Sequence, residues 1–157
     1  SLKKLKNYPR AKDLHLVVFG QSTPRLPPIL NFPTHYIGHL HDDLSLRIVY
    51  SAADAMILPS RLDNLPLTGI EAQACGTPVI AFNTGGMADI FEHRKTGYLA
   101  NKFDTNDLMK GIMWVLDQHQ SEKIIKNTRL RALEKFSQSI IAEQYKSIYQ
   151  KVLNKII

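Results

Sequence analysis

Residues 55–82 read AMILPSRLDNLPLTGIEAQACGTPVIAF. The stretch opens on AMILP at 55–59, a short apolar run of strand type, and closes on a second, PVIAF at 78–82. Between them lies the punctuation of a helix, with Pro66 where the first helical residue should be and Gly76 just past the end, and Pro78 opens the second run. A strand, a loop, a helix and another strand in so short a span form a parallel crossover unit.

The same alternation continues on both sides. Upstream, LHLVVFG at 14–20 is an apolar strand closed by Gly20, and the proline-rich QSTPRLPPILNFP at 21–33 reads as loop. A second strand is predicted over 34–37, closed by Gly38, and Asp42 or Asp43 then caps a helix running to about Ala52. Downstream, the turn at Gly85 and Gly86 leads to a short helix over 88–93 and a strand, YLA, at 98–100. Asp104 caps a longer helix whose Leu108, Ile112, Val115 and Leu116 share one face. Two more helices follow, the last starting after Ser137 with Ile141, Tyr145, Ile148, Val152 and Ile156 spaced three or four apart. Strands separated by helices along the whole chain predict an α/β fold with a doubly wound, mainly parallel sheet flanked by helices. The first residues, SLKKLKNYPR, lack an initiator Met and read as the second half of an amphipathic helix ended by Pro9, as in a segment of something longer.

The 157 residues suit one domain, and 44% apolar with 22% charged residues is globular composition. No apolar run approaches the roughly 20 residues that cross a bilayer, and the start lacks a secretory signal pattern. Cys75 is the only cysteine, so no internal disulfide and no Cys-pair zinc site is expected, which fits a reducing, cytoplasmic setting. Basic residues outnumber acidic ones by seven to three over 1–49 and by nine to four over 109–157, but the middle, 50–108, carries four basic against seven acidic. A nucleic-acid reader would gather its cations on one contact surface, so that class is set aside. The basic C-terminal helices suit either a solvated face or contact with an anionic membrane surface.

In a parallel sheet, ligands sit beyond the carboxyl ends of the strands, which points to the segments after Gly20, Gly38, Pro59 and Phe82. The loop after Pro59 delivers Asp63 ahead of the helix and Glu71 upon it, with seven residues between the two carboxylates. Free amides at that helix start carry partial positive charge and suit a phosphate without any Lys or Arg. Two carboxylates around an anion site accept only from donors, such as the hydroxyls of a ribose and a sugar, and a nucleotide sugar has both. From spacing alone the plainer readings come first: Asp63 simply stabilises the helix N-terminus, and Glu71 is a solvated helix residue. Gly85 and Gly86 read as a phosphate-binding turn of bare amides or as a tight turn alone. Cys75 reads as a small core residue. His39 and His41 fall on one side of an extended segment, without a third ligand to complete a metal site. Neither 19–22 nor 83–88 has dinucleotide-fold glycine spacing.

Taken together, YSAADAMILPSRLDNLPLTGIEAQACGTPVIAFNTGGMADI at 50–90 resembles the C-terminal, donor-binding half of GT-B glycosyltransferases of the retaining family GT4. The resemblance extends through HRKTGYLA at 93–100 and upstream through LHLVVFG and HYIGHL. It implies transfer of a sugar from a nucleotide diphosphate donor, UDP-sugar or GDP-sugar, to an acceptor hydroxyl with retention and usually without a bound metal or other cofactor. The family signature is two glutamates separated by seven residues. Glu71 matches the second, which binds the ribose hydroxyls; Asp63 stands at the first, which contacts the donor sugar, with its carboxylate one methylene shorter. The resemblance also places Asn64, Leu65, Pro66 and Leu67 near the sugar and diphosphate, and Gly38, His39 and Leu40 beside the base.

The resemblance implies that the family's diphosphate-gripping Arg and Lys would precede Ser1, as would the half that holds the glycan or lipid-linked acceptor. Lys3, Lys4 and Lys6 are not those cations. The expectation is a donor domain, incomplete as a catalyst, from an enzyme of polysaccharide or glycolipid synthesis. Two other readings stand beside it: a partner-binding module that keeps the fold without catalysis, and a nucleotide-sugar epimerase.

Overall fold

In the computed structural model, residues 2–20, 24–118 and 121–156 are described. Five strands are interleaved with helices: β1 (Leu16–Phe19), β2 (Thr34–Gly38), α1 (Asp43–Ala52), β3 (Met56–Leu58), α2 (Leu67–Ala74), β4 (Val79–Phe82), α3 (Met87–Ile90), β5 (Gly97–Ala100), α4 (Thr105–Asp117), α5 (Glu122–Phe136) and α6 (Gln138–Ile156). Every strand pairing is parallel, as the crossover pattern requires. The strands form two sheets: β1 with β2, and a three-stranded sheet in the order β3, β4, β5. Periodicity shows that strands exist; it does not show that they divide into two sheets.

β4 explains the layering. All four of its residues are buried, so it reads as a continuous apolar run, but alternate side chains leave by opposite faces. Ile80 and Phe82 join Tyr98, Leu108, Ile112 and Val115 in one core, under α4 and the N-terminal Leu5. Val79 and Ala81 join Tyr50, Ala72, Met87 and Ile90 in the other, under α1, α2 and α3. Leu16 and Ile57 pack against the first core while Phe19 and Leu58 pack against the second, so both sheets lie in one central layer with helices on either side. Each fully buried side chain such as Ile80 contributes about 1.5–3 kcal/mol relative to exposure.

The caps fall where the sequence placed them. Asp42 accepts the Ser45 amide at 2.8 Å, and Asp104 accepts those of Asn106 and Asp107 at 2.8 and 3.1 Å. Gly76, at φ +86, follows the end of α2 in the left-handed conformation that terminates helices. Two boundaries move slightly. Pro66 is the residue before the helix rather than its first member, and the short helix is Met87–Ile90. Cys75 is the last half-helical residue of α2, half-buried against the second core.

The two ends depart further from expectation. The N-terminal segment is a 3-10 helix, Leu2–Asn7, followed by a 3-10 turn, Ala11–Asp13, with Leu5 and Ala11 buried. In α6 the expected stripe lies largely in solvent: Tyr145, Ile148 and Val152 are each about half exposed, because the helix packs chiefly on α5. Residues 21–23 of the proline-rich loop and the side chain of Ile156 fall outside what is described.

Candidate functional site

The carboxyl ends of β2, β3 and β4 open onto the segments that sequence reasoning marked, and the structure fastens two of them together. The carbonyls of Asp63 and Asn64, in the loop after β3, occupy the places where Cβ atoms would stand on Gly85 and Gly86 after β4. Any side chain there would lie well inside 3.0 Å of a backbone atom. Gly85 also needs its φ of +53. The Gly86 amide donates to the Asp63 carbonyl at 3.4 Å, so one of the two glycine amides is already engaged. The glycine pair therefore serves first as a seat for the Asp63 loop.

α2 starts at this seat without a side-chain cap. Pro66 has no amide, its carbonyl accepts from Gly69 at 3.1 Å and Ile70 at 3.4 Å, and the Leu67 and Thr68 amides precede the helix's own bonding. Pro66 rather than Asp63 is the N-cap residue of α2, and no side-chain hydrogen bond caps the helix. Leu65 and Leu67 are exposed, at 44% and 66%, and Pro66 is buried, so the loop forms an open shelf rather than a closed cavity.

Glu71 sits one turn further on. Its residue is exposed, but its carboxylate is not loose: Oε2 accepts from the Tyr50 hydroxyl at 3.0 Å. Tyr50 is 3% exposed, in the last turn of α1, with its ring edge-on to Phe19 at 5.7 Å between centroids. Its carbonyl accepts from the buried Thr77 hydroxyl at 2.5 Å. Burial first, and then the bond to Glu71, hold the Tyr50 phenol well above the ordinary phenol range, so it remains a donor. Gly38, at φ +74, ends β2, and the His39 and His41 rings beyond it stack at 6.1 Å. Among the described residues, no three His, Cys, Asp or Glu side chains are grouped to hold a metal.

Sequence reasoning missed two groups here. Tyr50 lies 21 positions before Glu71, in another helix, and no local spacing ties them. The Thr84 hydroxyl, next to the glycine turn, is buried without a hydrogen-bond partner among the described residues. A separate groove of about 520 Å³ lies between Lys3, Lys4, Lys6 and Tyr8 and the Met109 and Met113 side chains of α4; no candidate site residue lines it.

Known proteins resemble this chain in sequence and fold. A family model described as glycosyl transferases group 1 matches residues 1–131. An alpha-maltose-1-phosphate synthase of Mycolicibacterium smegmatis is 33% identical over 128 residues, covering 76% of this chain and 30% of that protein. An N-acetyl-alpha-D-glucosaminyl L-malate synthase of Bacillus anthracis is 32% identical over 102 residues, covering 64% and 27%. Among solved structures, a sucrose-phosphate synthase from Thermosynechococcus elongatus superposes with a TM-score of 0.69 at 32% identity, over 78% of this chain and 31% of that one. HepE of Anabaena in complex with UDP superposes at 0.66 with 22% identity, over 75% and 32%, a likeness of fold. The chain spans about a third or less of the length of these relatives.

Proposed function

The chain belongs to the glycosyl transferases group 1 family, and from that premise we propose that it binds the donor in a retaining transfer of a sugar from a nucleotide diphosphate to an acceptor hydroxyl. The observation that carries this reading is Glu71, fixed on one side by Tyr50 and exposed on the other, one turn from the uncapped start of α2. A carboxylate with one oxygen anchored and the rest of its acceptor capacity open suits the paired hydroxyls of a ribose. The start of α2 suits the diphosphate. As the bond from the anomeric carbon to the diphosphate breaks, negative charge grows on the leaving oxygens, and the Leu67 and Thr68 amides with the helix dipole favour it. Asp63 accepts from the donor sugar's hydroxyls, and Gly38, His39 and Leu40 border the base. Glu71 positions the donor and moves no proton, and no step in this reading passes through a metal.

The acceptor, a glycan or lipid-linked hydroxyl, is held by a part of the protein outside this chain, in polysaccharide or glycolipid synthesis at the inner face of a membrane. None of the described helices is long and apolar enough to cross one. HepE has been solved with UDP-glucose, which supports a nucleotide-sugar donor here by likeness of fold. The test is Glu71→Ala in the intact protein, followed by UDP-sugar and GDP-sugar turnover with product analysis. Most activity should disappear while the melting temperature stays in place. Transfer near the wild-type rate would refute the role given to Glu71, and release of a new free sugar with no acceptor extended would identify an epimerase instead.

A further inference from the structure

Four parts of the fold converge on one phenol. Tyr50 is carried by α1, its ring is edge-on to Phe19 at the end of β1, its carbonyl is held by Thr77 ahead of β4, and its hydroxyl reaches Glu71 on α2. The Ala53 amide, ending α1, also donates to the Tyr50 carbonyl at 3.2 Å. A side chain fixed at its backbone, its ring and its hydroxyl is a rigid donor. Its target is the opposite kind of group, a glutamate on an exposed helix face with three free torsions and no other hydrogen bond among the described residues.

Left alone, such a carboxylate samples several rotamers and loses that freedom when a ligand fixes it. Tied through Oε2, it presents Oε1 in one direction before any ligand arrives, and a preorganised acceptor binds with a smaller ordering cost. On the reading of the site given above, we propose that Tyr50 is a positioning residue for donor recognition, which holds Glu71 in the rotamer that accepts the ribose hydroxyls. Tyr50 itself, being buried, does not touch the nucleotide. Its contribution is confined to ligands that engage Glu71, which separates this role from support of the fold.

The experiment compares Tyr50→Phe, Glu71→Ala and the double variant with the wild-type intact protein. Phe keeps the ring against Phe19, and the freed carboxylate can turn to solvent, so no buried group is left unpaired. Thermal melts of all four proteins accompany the binding measurements. Affinity is measured by calorimetry for UDP or GDP, whichever binds the wild type more tightly, and for the same nucleotide lacking both ribose hydroxyls. Tyr50→Phe should weaken the ribonucleotide about five- to tenfold, the effect of one hydrogen bond acting through another group. It should leave the dideoxy compound unchanged and add nothing once Glu71 is Ala. Equal weakening of both ligands would mean a merely structural tyrosine and would overturn the proposal, as would unchanged affinity for both. If Glu71→Ala lowers ribonucleotide affinity selectively while Tyr50→Phe does not, the proposal fails and the reading of the site survives. If Glu71→Ala leaves the preference for the ribonucleotide intact, or neither nucleotide binds the wild type, the reading of the site fails and this proposal goes with it.

Discussion

Gly86→Ala probes the junction on which the site is built. Gly86 has an ordinary φ of −82, so an alanine there meets no conformational penalty of its own. The whole effect comes from the new methyl, which would be driven onto the Asn64 carbonyl, with the Asn64 carbonyl carbon at 3.0 Å and the flexible Leu65 side chain further off at 3.7 Å. Since the obstructing atom is backbone, no rotamer change relieves it. Either the Asp63–Asn64 loop or the turn after β4 must shift, and overpacking of this kind costs about 1–3 kcal/mol. For a domain of this length that lowers the melting temperature by roughly 2–4 °C per kcal/mol, on the order of 5 °C in all. Gly20→Ala is the control. Gly20 is at φ +80 with nothing among the described residues within 4 Å of where an added methyl would stand, so its cost is chiefly conformational, about 1 kcal/mol. Differential scanning calorimetry on the three proteins, with nucleotide affinity measured alongside, reads both consequences. Gly86→Ala should melt below Gly20→Ala and bind nucleotide more weakly than wild type. If Gly86→Ala melts with the wild type, the close approach of the two loops is not a constraint on this protein.

Asp107 gives a pH-dependent prediction. The Asn101 amide, at 2.8 Å, chiefly holds its carboxyl below the ordinary carboxylate range, helped by the Tyr98 hydroxyl at 2.9 Å and opposed by burial. A carboxyl with a depressed folded pKa stabilises fully above its unfolded value of about 3.9 and loses that contribution as pH falls through the folded value. Asp107→Asn should therefore unfold more easily by about 1–2 kcal/mol at neutral pH. Urea titrations should show the gap closing in strong acid, and a gap independent of pH would contradict the assignment. Arg131 gives a second. From α5 it donates to the Ile90 carbonyl at 2.6 Å and the Asp89 carbonyl at 2.9 Å and pairs with Glu92, tying down the end of α3 behind the glycine turn. A lysine ammonium lacks the planar fork that spans these acceptors, so Arg131→Lys should cost about 1–3 kcal/mol in the same titrations. A loss under about 0.5 kcal/mol would show that one contact suffices.

Features whose cause is local were legible in the sequence. Asp42 and Asp104 cap because a short carboxylate beside free amides bonds to them wherever the rest of the chain lies, and Gly76 ends α2 because the left-handed conformation favours it. The apolar run at β4 was legible as a strand for the same reason. Features with a remote cause were not. The glycine pair at 85 and 86 was visible, but what makes it necessary is a pair of carbonyls about twenty residues earlier. Glu71 was singled out by its spacing from Asp63 together with the family resemblance, whereas its hydrogen-bond partner, Tyr50, lies in another helix. In α6 the spacing correctly groups Tyr145, Ile148 and Val152 on one face, but spacing carries no information on whether another element covers that face.

The central claim, that a nucleotide diphosphate lies at the start of α2 with its ribose on Glu71, has a direct competitor within the same chain. Lys3, Lys4 and Lys6 flank the groove against α4 and would attract a diphosphate by charge alone. Amide NMR titration of the intact protein with UDP and with GDP distinguishes the two. Shifts gathered on Leu67, Thr68, Glu71, Gly38 and Gly85 are the predicted result. Shifts confined to the three lysines and their neighbours on α4, or none with either nucleotide, would contradict it.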